Sequence, residues 1–428
     1  MDIARKTAFQ VLYEIEKENS YSNLTLNKFI GENRPENPAF VRELVYGTLE
    51  NRIFLDYHLN ALIPSGIDKV KKKEKCFLRM GLYQLMFMDS VPAYAAINET
   101  VNLAKKLCRG REGFINGVLR GYVKRSAEIQ LPDREKDPMG YLSVKYSFPL
   151  WIIELWQQQY GEELCEKLLE ASNGSPALAV RVNLLKTDRE TLAQKLSRRG
   201  FSVFQGEFSQ RTLYVEGAGL LDTDLYKDGF FSVQDEASTL AAEFVEPKAY
   251  DTVIDVCAAP GGKTTAIGEA MANKGVIFSC DVYPHKLKLI KKQAERTGLT
   301  IVETMLLDGR KGNRNFDGKA DKVLVDAPCS GLGVIRRKPE IKYKEREDFS
   351  QLVQIQKEIL ERSARYIKPG GTLVYSTCTI NRQENREQIE NFLANNGEFA
   401  IEEMREFLPT EGLDGFFLCK MVRQKSQS

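Results

Sequence analysis

The sequence predicts a multidomain α and α/β protein: an all-α bundle, then a small α+β unit, then an alternating β/α domain. Three observations carry this. Up to about residue 130, apolar residues recur at spacings of three and four, as in Ala8, Val11, Leu12 and Ile15. From about 141 to 245, helix-like and strand-like stretches are mixed. From about 246, short β-rich runs alternate with amphipathic helices, the pattern of a parallel sheet covered on both faces.

The first region, 1–135, reads as about six helices, with Leu78, Leu82, Leu85 and Met86 on one stripe and no strand. The polar, Pro-containing stretch Ser126–Met139 reads as a linker. The second region, 141–245, opens on a helical stretch, Leu150–Ala171. A strand over Ala177–Asn183, a short helix over Glu190–Arg199 and strands near Phe201–Phe204 and Thr212–Val215 follow. In the third region, 246–428, strands are expected at Thr252–Val256, Val276–Cys280, Val302–Leu307, Lys322–Asp326 and Thr372–Ser376. Helices over Lys286–Thr297 and Phe349–Ile367 fall between them. Ligands of such sheets bind at the carboxyl ends of the strands.

Composition narrows the function. Hydrophobic residues make up 43% and charged residues 28%, a globular profile. No apolar run approaches the ~18 residues of a membrane span. The start of the chain, Met1 to Lys6, has no secretory apolar core, so a cytoplasmic protein without a membrane partner is expected. Net charge is only +2, so a nucleic-acid partner would have to use local patches. Eight scattered cysteines form no CxxC pair, and His58 and His285 are the only histidines. No metal is expected, and Ser-His-Asp chemistry is poorly supplied. Cysteine catalysis here must work without a dedicated histidine base.

The first strand of the third region runs into Cys257, Ala258, Ala259, Pro260, Gly261, Gly262 and Lys263. Glycines between strand and helix let a ligand approach the backbone. A phosphate-binding P-loop would need glycine where Cys257 stands, and no GxGxxG is present. Asp281 ends the second strand, about 20 residues on, where a carboxylate binds ribose hydroxyls. Asp308 ends the third strand, placed to accept from an adenine amino group, and Asp326 ends the fourth. Singly, each of these aspartates reads as a helix cap or turn residue. Carboxylates in register at the ends of the first four strands, Asp255 opening the series, suit a positively charged sulfonium better than a pyrophosphate.

Cys329 follows the fourth strand in Asp326–Gly331, and Cys378 follows the fifth in Tyr375–Thr379. Position sets them apart from Cys76, Cys108, Cys165, Cys280 and Cys419, which read as structural. A thiolate adding to carbon 6 of cytosine makes carbon 5 nucleophilic enough to take a methyl group. That thiolate needs local positive potential, for which Lys263 is a candidate. Asp326 is placed to face N3 of the ring or to touch the cofactor.

These motifs resemble the RNA cytosine-5 methyltransferases of the Nop2/Sun class: Cys257 to Thr264, Asp326 to Gly331, and Ser376 to Thr379. The resemblance implies a Rossmann-like class I methyltransferase domain using S-adenosyl-L-methionine and leaving S-adenosyl-L-homocysteine. It implies Cys378 as nucleophile and Cys329 as the residue assisting release. It places cofactor contacts on Cys257 to Lys263, Asp281, Asp308 and Asp326. The bundle is similar to the antitermination factor NusB, through Phe40–Gly47, Arg79–Leu85, Pro92 with Ile97–Val101, and Phe114–Arg120. The middle region, through Arg181–Asn183 and Val233–Ser238, resembles the family's small RNA-recognition-like subdomain and is expected to grip RNA. The bundle in front of this catalytic domain implies the type acting on 16S ribosomal RNA, naked or partly assembled, as a monomer.

The basic run Lys69–Lys75 reads first as a solvated face. Arg336, Arg337 and Lys338 lie close to the Pro-Cys motif, where phosphates of a bound strand would pass and position RNA without specifying it. The same chemistry on transfer RNA, a non-catalytic RNA-binding assembly factor, and an NAD-dependent enzyme are the competing readings. Intact cysteines oppose the second, and the missing GxGxxG opposes the third.

Overall fold

The computed structural model describes residues 2–18, 20–344 and 347–425; Met1 and 426–428, which the predicted domain ranges include, lie outside the described residues. The chain divides into two compact units. One comprises residues 1–174 with 335–344, and the other 175–334 with 345–428. Among the described residues no helix is long and apolar enough to cross a membrane.

In the first unit, residues 3–125 form seven α-helices where about six are expected by periodicity. A single residue, Asn51, separates Pro38–Glu50 from Arg52–Leu62. Its N–H and its side-chain amide both bond the Gly47 carbonyl, closing one helix as the next begins. Val11, Leu44, Leu55, Phe77, Leu82 and Leu119 meet in one core. Gly47 is required by packing: a Cβ there would stand 2.0 Å from the Tyr83 ring.

The expected linker includes a further start signal. Asp137 accepts from Gly140 N at 2.8 Å with Pro138 at the first position, and a helix runs Pro138–Tyr146. The stretch expected as one helix over 150–171 is two, Leu150–Tyr160 and Glu162–Ala171. They are broken at Gly161, whose φ is +81°. These helices group with the bundle, although by sequence the α+β region begins at 141.

Residues 335–344 also belong to the first unit. The Glu340 carboxylate accepts from Ser22 N (3.0 Å) and Oγ (2.7 Å). Lys342, fully buried, donates to Asn173 Oδ1 (2.6 Å) and Glu50 O (3.1 Å) over the Phe148 ring. Burial lowers its pKa to about 7.

The second unit holds two sheets. The smaller contains β1 (Ala179–Val182), β2 (Ser202–Gln205), β3 (Thr212–Glu216) and β4 (Phe231–Val233), all antiparallel in order β2-β3-β1-β4. The larger contains β5 (Thr252–Asp255), β6 (Val276–Asp281), β7 (Val302–Leu306), β8 (Ala320–Asp326), β9 (Ile367–Thr377), β10 (Phe399–Phe407) and β11 (Phe416–Arg423). Its order is β10-β11-β9-β8-β5-β6-β7. Strands β5 to β9 are parallel, as expected. The sheet as a whole is mixed, because β10 and β11 add an antiparallel edge. Side chains alternate between two cores: Val253, Leu324 and Val374 face one, Ile254, Val323 and Tyr375 the other.

Arg181, Asn183, Gln234 and Glu236, in the segments expected to grip RNA, are buried. Arg181 pairs with Glu269 (2.8 Å) and donates to Gly262 O (2.7 Å), Thr265 Oγ1 (3.0 Å) and Gln234. Asn183 donates to Gly229 O and Thr297 O. Arg181 fastens the small sheet to the helix Gly262–Ala270 and Asn183 fastens it to the end of Pro284–Thr297, so both spend their hydrogen bonds internally.

Candidate active site

The chain runs from β5 to β6 and β7 on one side, then returns to β8 on the other. The reversal opens a crevice at the carboxyl ends of β5 and β8, where ligands of open α/β sheets sit. The glycine loop leaves β5 and the Pro-Cys loop leaves β8.

Ala258 N bonds Cys280 O (2.8 Å) and Gly261 N bonds Ala258 O (2.7 Å), so the glycine loop is closed onto β6. Gly261, at φ +104°, caps the helix Gly262–Ala270, whose amino end faces the crevice. Asp255 is fully buried; one oxygen accepts from Thr264 Oγ1 (2.7 Å) and, among the described residues, the other, Oδ1, has no hydrogen-bond partner. Burial, then Asp326 and Asp281, raises its pKa to about 7, with Thr264 and Lys263 opposing. Asp281 is nearly buried and accepts from Tyr283 N (3.0 Å). Val282, Tyr283 and Leu306 beside it are exposed and apolar. Asp308 is held by Arg310 through two side-chain contacts (3.0 and 2.8 Å), which lower its pKa. Burial, followed by the Asp255, Asp326 and Asp281 charges, pushes the Cys257 thiol up.

Strand register brings the two cysteines together. Asp326 of β8 pairs directly with Ser376 of β9. Each chain continues into a turn, and Cys329 Sγ lies 3.4 Å from Cys378 Sγ. Asp326 accepts from Lys263 Nζ (2.7 Å) and Ser376 Oγ (2.9 Å), so both its oxygens are engaged. Lys263 carries only 11% side-chain exposure, and the Asp326 and Cys378 charges raise its pKa against burial. The Cys329 thiol is pushed well up, first by its hydrogen bond to Cys378 and then by burial. Both cysteines are half-buried.

Several residues of this site escape sequence reasoning. The Glu384 carboxylate, with no exposure, accepts from Ser330 N (2.8 Å), Gln356 Nε2 (2.9 Å) and Asn381 Nδ2 (3.1 Å). Asn385 ties the Thr-Cys turn through Thr377 Oγ1 (2.5 Å) and Thr379 O (2.9 Å). The signal available in Asn381–Asn385 was the density of amide and carboxylate side chains directly after the Cys378 motif. In the run Lys69–Lys75, read as a solvated face, Lys69 and Lys71–Lys73 are exposed while Val70 and Glu74 are buried and Lys75 is half-buried; Arg336, Arg337 and Lys338, the suggested phosphate contacts, are half-buried in the first unit. His58 is buried, its ring nitrogen 2.9 Å from Phe54 O, and His285 is exposed at the start of Pro284–Thr297.

A glycine-looped parallel sheet with an antiparallel edge pair, preceded by a small antiparallel sheet and a helical bundle, defines a multidomain methyltransferase. The chain matches the 16S rRNA methyltransferase RsmB/F family over residues 242–422, the NusB family over 2–124, and an RsmF/B-like ferredoxin-like domain over 148–221. It is 40% identical to the probable ribosomal RNA small subunit methyltransferase B of Bacillus subtilis, covering 98% of each chain. It is 33% identical to the ribosomal RNA small subunit methyltransferase B of Vibrio vulnificus, covering 98% of this chain and 99% of that one. The crystal structure of PH0851 superposes with TM-score 0.83 at 26% identity, covering 97% and 98%. That of NSun6 from Pyrococcus horikoshii shares the fold at TM-score 0.60 and 22% identity, covering 66% and 100%. The chain belongs to the RsmB/F methyltransferase family, with a NusB-type amino-terminal domain.

Proposed function

We propose that the protein methylates carbon 5 of one cytosine in 16S ribosomal RNA, from S-adenosyl-L-methionine, through a covalent Cys378–cytosine adduct. The observation that carries this reading is the pair of thiols 3.4 Å apart at the ends of β8 and β9, beside Lys263 and Asp326. The names of the curated relatives support ribosomal RNA as substrate.

The site fits the cofactor's chemistry. Asp255, Asp281 and Asp326 lie within electrostatic reach of one another, with Lys263 as the cation among them. Asp255 keeps an unpartnered buried oxygen. A ligand carrying a sulfonium and an ammonium is favoured there. Asp281 beside the exposed Val282, Tyr283 and Leu306 suits a ribose and the flat base attached to it, and the glycine loop gives the backbone access. Bound S-adenosyl-L-methionine supplies the methyl group.

Cys378, facing the Lys263 ammonium, is the thiolate that adds to carbon 6, and the density it brings makes carbon 5 able to take the methyl. Asp326, oriented by Lys263 and Ser376, faces the ring nitrogen whose charge changes as the thiolate adds. Loss of the carbon-5 proton then expels Cys378, and Cys329, its thiol neighbour, assists that departure. Carbon 6 is inaccessible within a stack, so the base must be swung out, and naked or partly assembled RNA is the substrate.

The test is methyl transfer to unmodified 16S RNA. Wild type labels a single cytosine, Cys378→Ala loses about 10⁴-fold or more, and Cys329→Ala accumulates a denaturant-resistant protein–RNA adduct. Full activity of Cys378→Ala would remove the covalent reading. Labelling of transfer RNA in place of 16S RNA would remove only the substrate.

A further inference from the structure

We propose that Glu384 is the positioning residue of this site: its buried carboxylate joins the two cysteine loops and reserves the nucleophilic role for Cys378. The inference rests on the covalent reading above. Three donors converge on the group from three elements: the Ser330 backbone in the Pro-Cys loop, Gln356 on the helix Glu347–Ala364, and Asn381 in the turn after Cys378. The amide orientations are fixed. Gln356 Nε2 also donates to Pro328 O (2.9 Å), and Asn381 Oδ1 accepts from Gln383 N (3.3 Å). Every side facing Glu384 therefore presents an N–H, which calls for an acceptor-only carboxylate. Its own backbone carbonyl takes the Tyr375 hydroxyl (2.8 Å), fastening it to β9. Ser330 Oγ and Thr379 Oγ1 (2.7 Å) and Gly333 N to Cys378 O (3.1 Å) complete the junction between the loops.

The junction is electrically lopsided. Two thiols 3.4 Å apart do not ionise together. The charges facing Cys329 are Cys378, Glu384 and Asp326, all negative when ionised, and each opposes its ionisation. Cys378 faces the Lys263 ammonium. Cys329 is held as the neutral thiol first by its hydrogen bond to Cys378 and by burial, the Glu384 charge adds to both, and the thiolate forms at Cys378.

Alkylation by iodoacetamide across pH 6 to 10 tests this on the full-length protein, with Cys329 and Cys378 peptides quantified by mass spectrometry. Wild type is expected to alkylate Cys378 first. In Glu384→Gln the Cys329 half-alkylation pH falls by about one unit or more, so the preference for Cys378 narrows about tenfold. Methyl transfer falls as well, and Glu384→Asp, which keeps the charge with a shorter reach, returns the alkylation order with only part of the turnover. An unchanged Cys329 profile in a folded Glu384→Gln overturns the proposal. If that variant does not fold, Gln356→Met keeps the carboxylate and removes one donor. There Cys378 must still react first, and reversal of the order overturns the proposal. The alkylation order is read without RNA or methyl donor, so it stands or falls separately from the covalent mechanism.

Discussion

The second unit contains two buried charge clusters that differ in how completely they are paired. Around Glu269, Arg181 and Arg211 meet one carboxylate, with Gln234, Thr265, Gly262 O and Ala266 O taking further donors. Among the described residues Arg211 Nε has no hydrogen-bond partner there. Around Lys263 and Asp326 a single ammonium meets the carboxylates, two thiols face each other and, among the described residues, Asp255 Oδ1 has no hydrogen-bond partner. The first cluster joins the small sheet to the helix Gly262–Ala270; in the proposed reading the second receives the cofactor. Buried charge alone does not mark a catalytic site; a place at the strand ends beside two thiols sets the second cluster apart.

The largest expected effect breaks the closed cluster. Glu269→Ala leaves two guanidiniums buried without their carboxylate, and chemical denaturation should show a loss of about 3–5 kcal/mol. A loss below about 1 kcal/mol would mean that water replaces the carboxylate there. Next, Lys263→Met acts on the open cluster. Methyl transfer is expected to fall about 10²–10³-fold while the melting temperature holds. A fall in stability comparable to that of Glu269→Ala would erase the distinction between the clusters.

The smallest effect sharpens it through pH. The folded-state pKa of Asp255, about 7, lies above the ordinary 3.8, so folding takes up a proton between those values. The ionised group therefore costs stability as pH rises through that window, and Asp255→Asn should melt higher than wild type at pH 8. A cationic ligand favours the carboxylate, so S-adenosyl-L-methionine affinity should rise about tenfold at most per pH unit up to 7 and level off above. Calorimetric titration at pH 6 and 8 checks this. Equal affinities, or an equally steep rise for S-adenosyl-L-homocysteine, which lacks the sulfonium charge, would place the sulfonium away from Asp255.

The sequence made the catalytic sheet legible because β5, β6, β8 and β9 are apolar runs ending in chemically distinctive residues. It concealed β10, whose Glu402, Glu403 and Glu406 give an edge strand the composition of a helix. β4 was too short, at three residues, to stand out. Both cysteines and the glycine loop were readable as motifs. Glu384 was not, because a buried carboxylate whose partners come from three elements has no local pattern. Nor was the buried role of Arg181, whose carboxylate lies far along the chain at Glu269.

The placement of residues 335–344 in the first unit has a consequence for biosynthesis. Ser22, Asn173 and the Glu50 carbonyl find their partners on Glu340 and Lys342, which leave the ribosome long after Gly174. The amino-terminal unit is therefore made first but completed late. During translation it must wait, with polar groups still hydrated, until the chain has passed through β5 to β8 and the Pro-Cys loop. Chain order and folding order are interleaved, and a cut at Gly174 yields an amino-terminal fragment lacking part of its own interior.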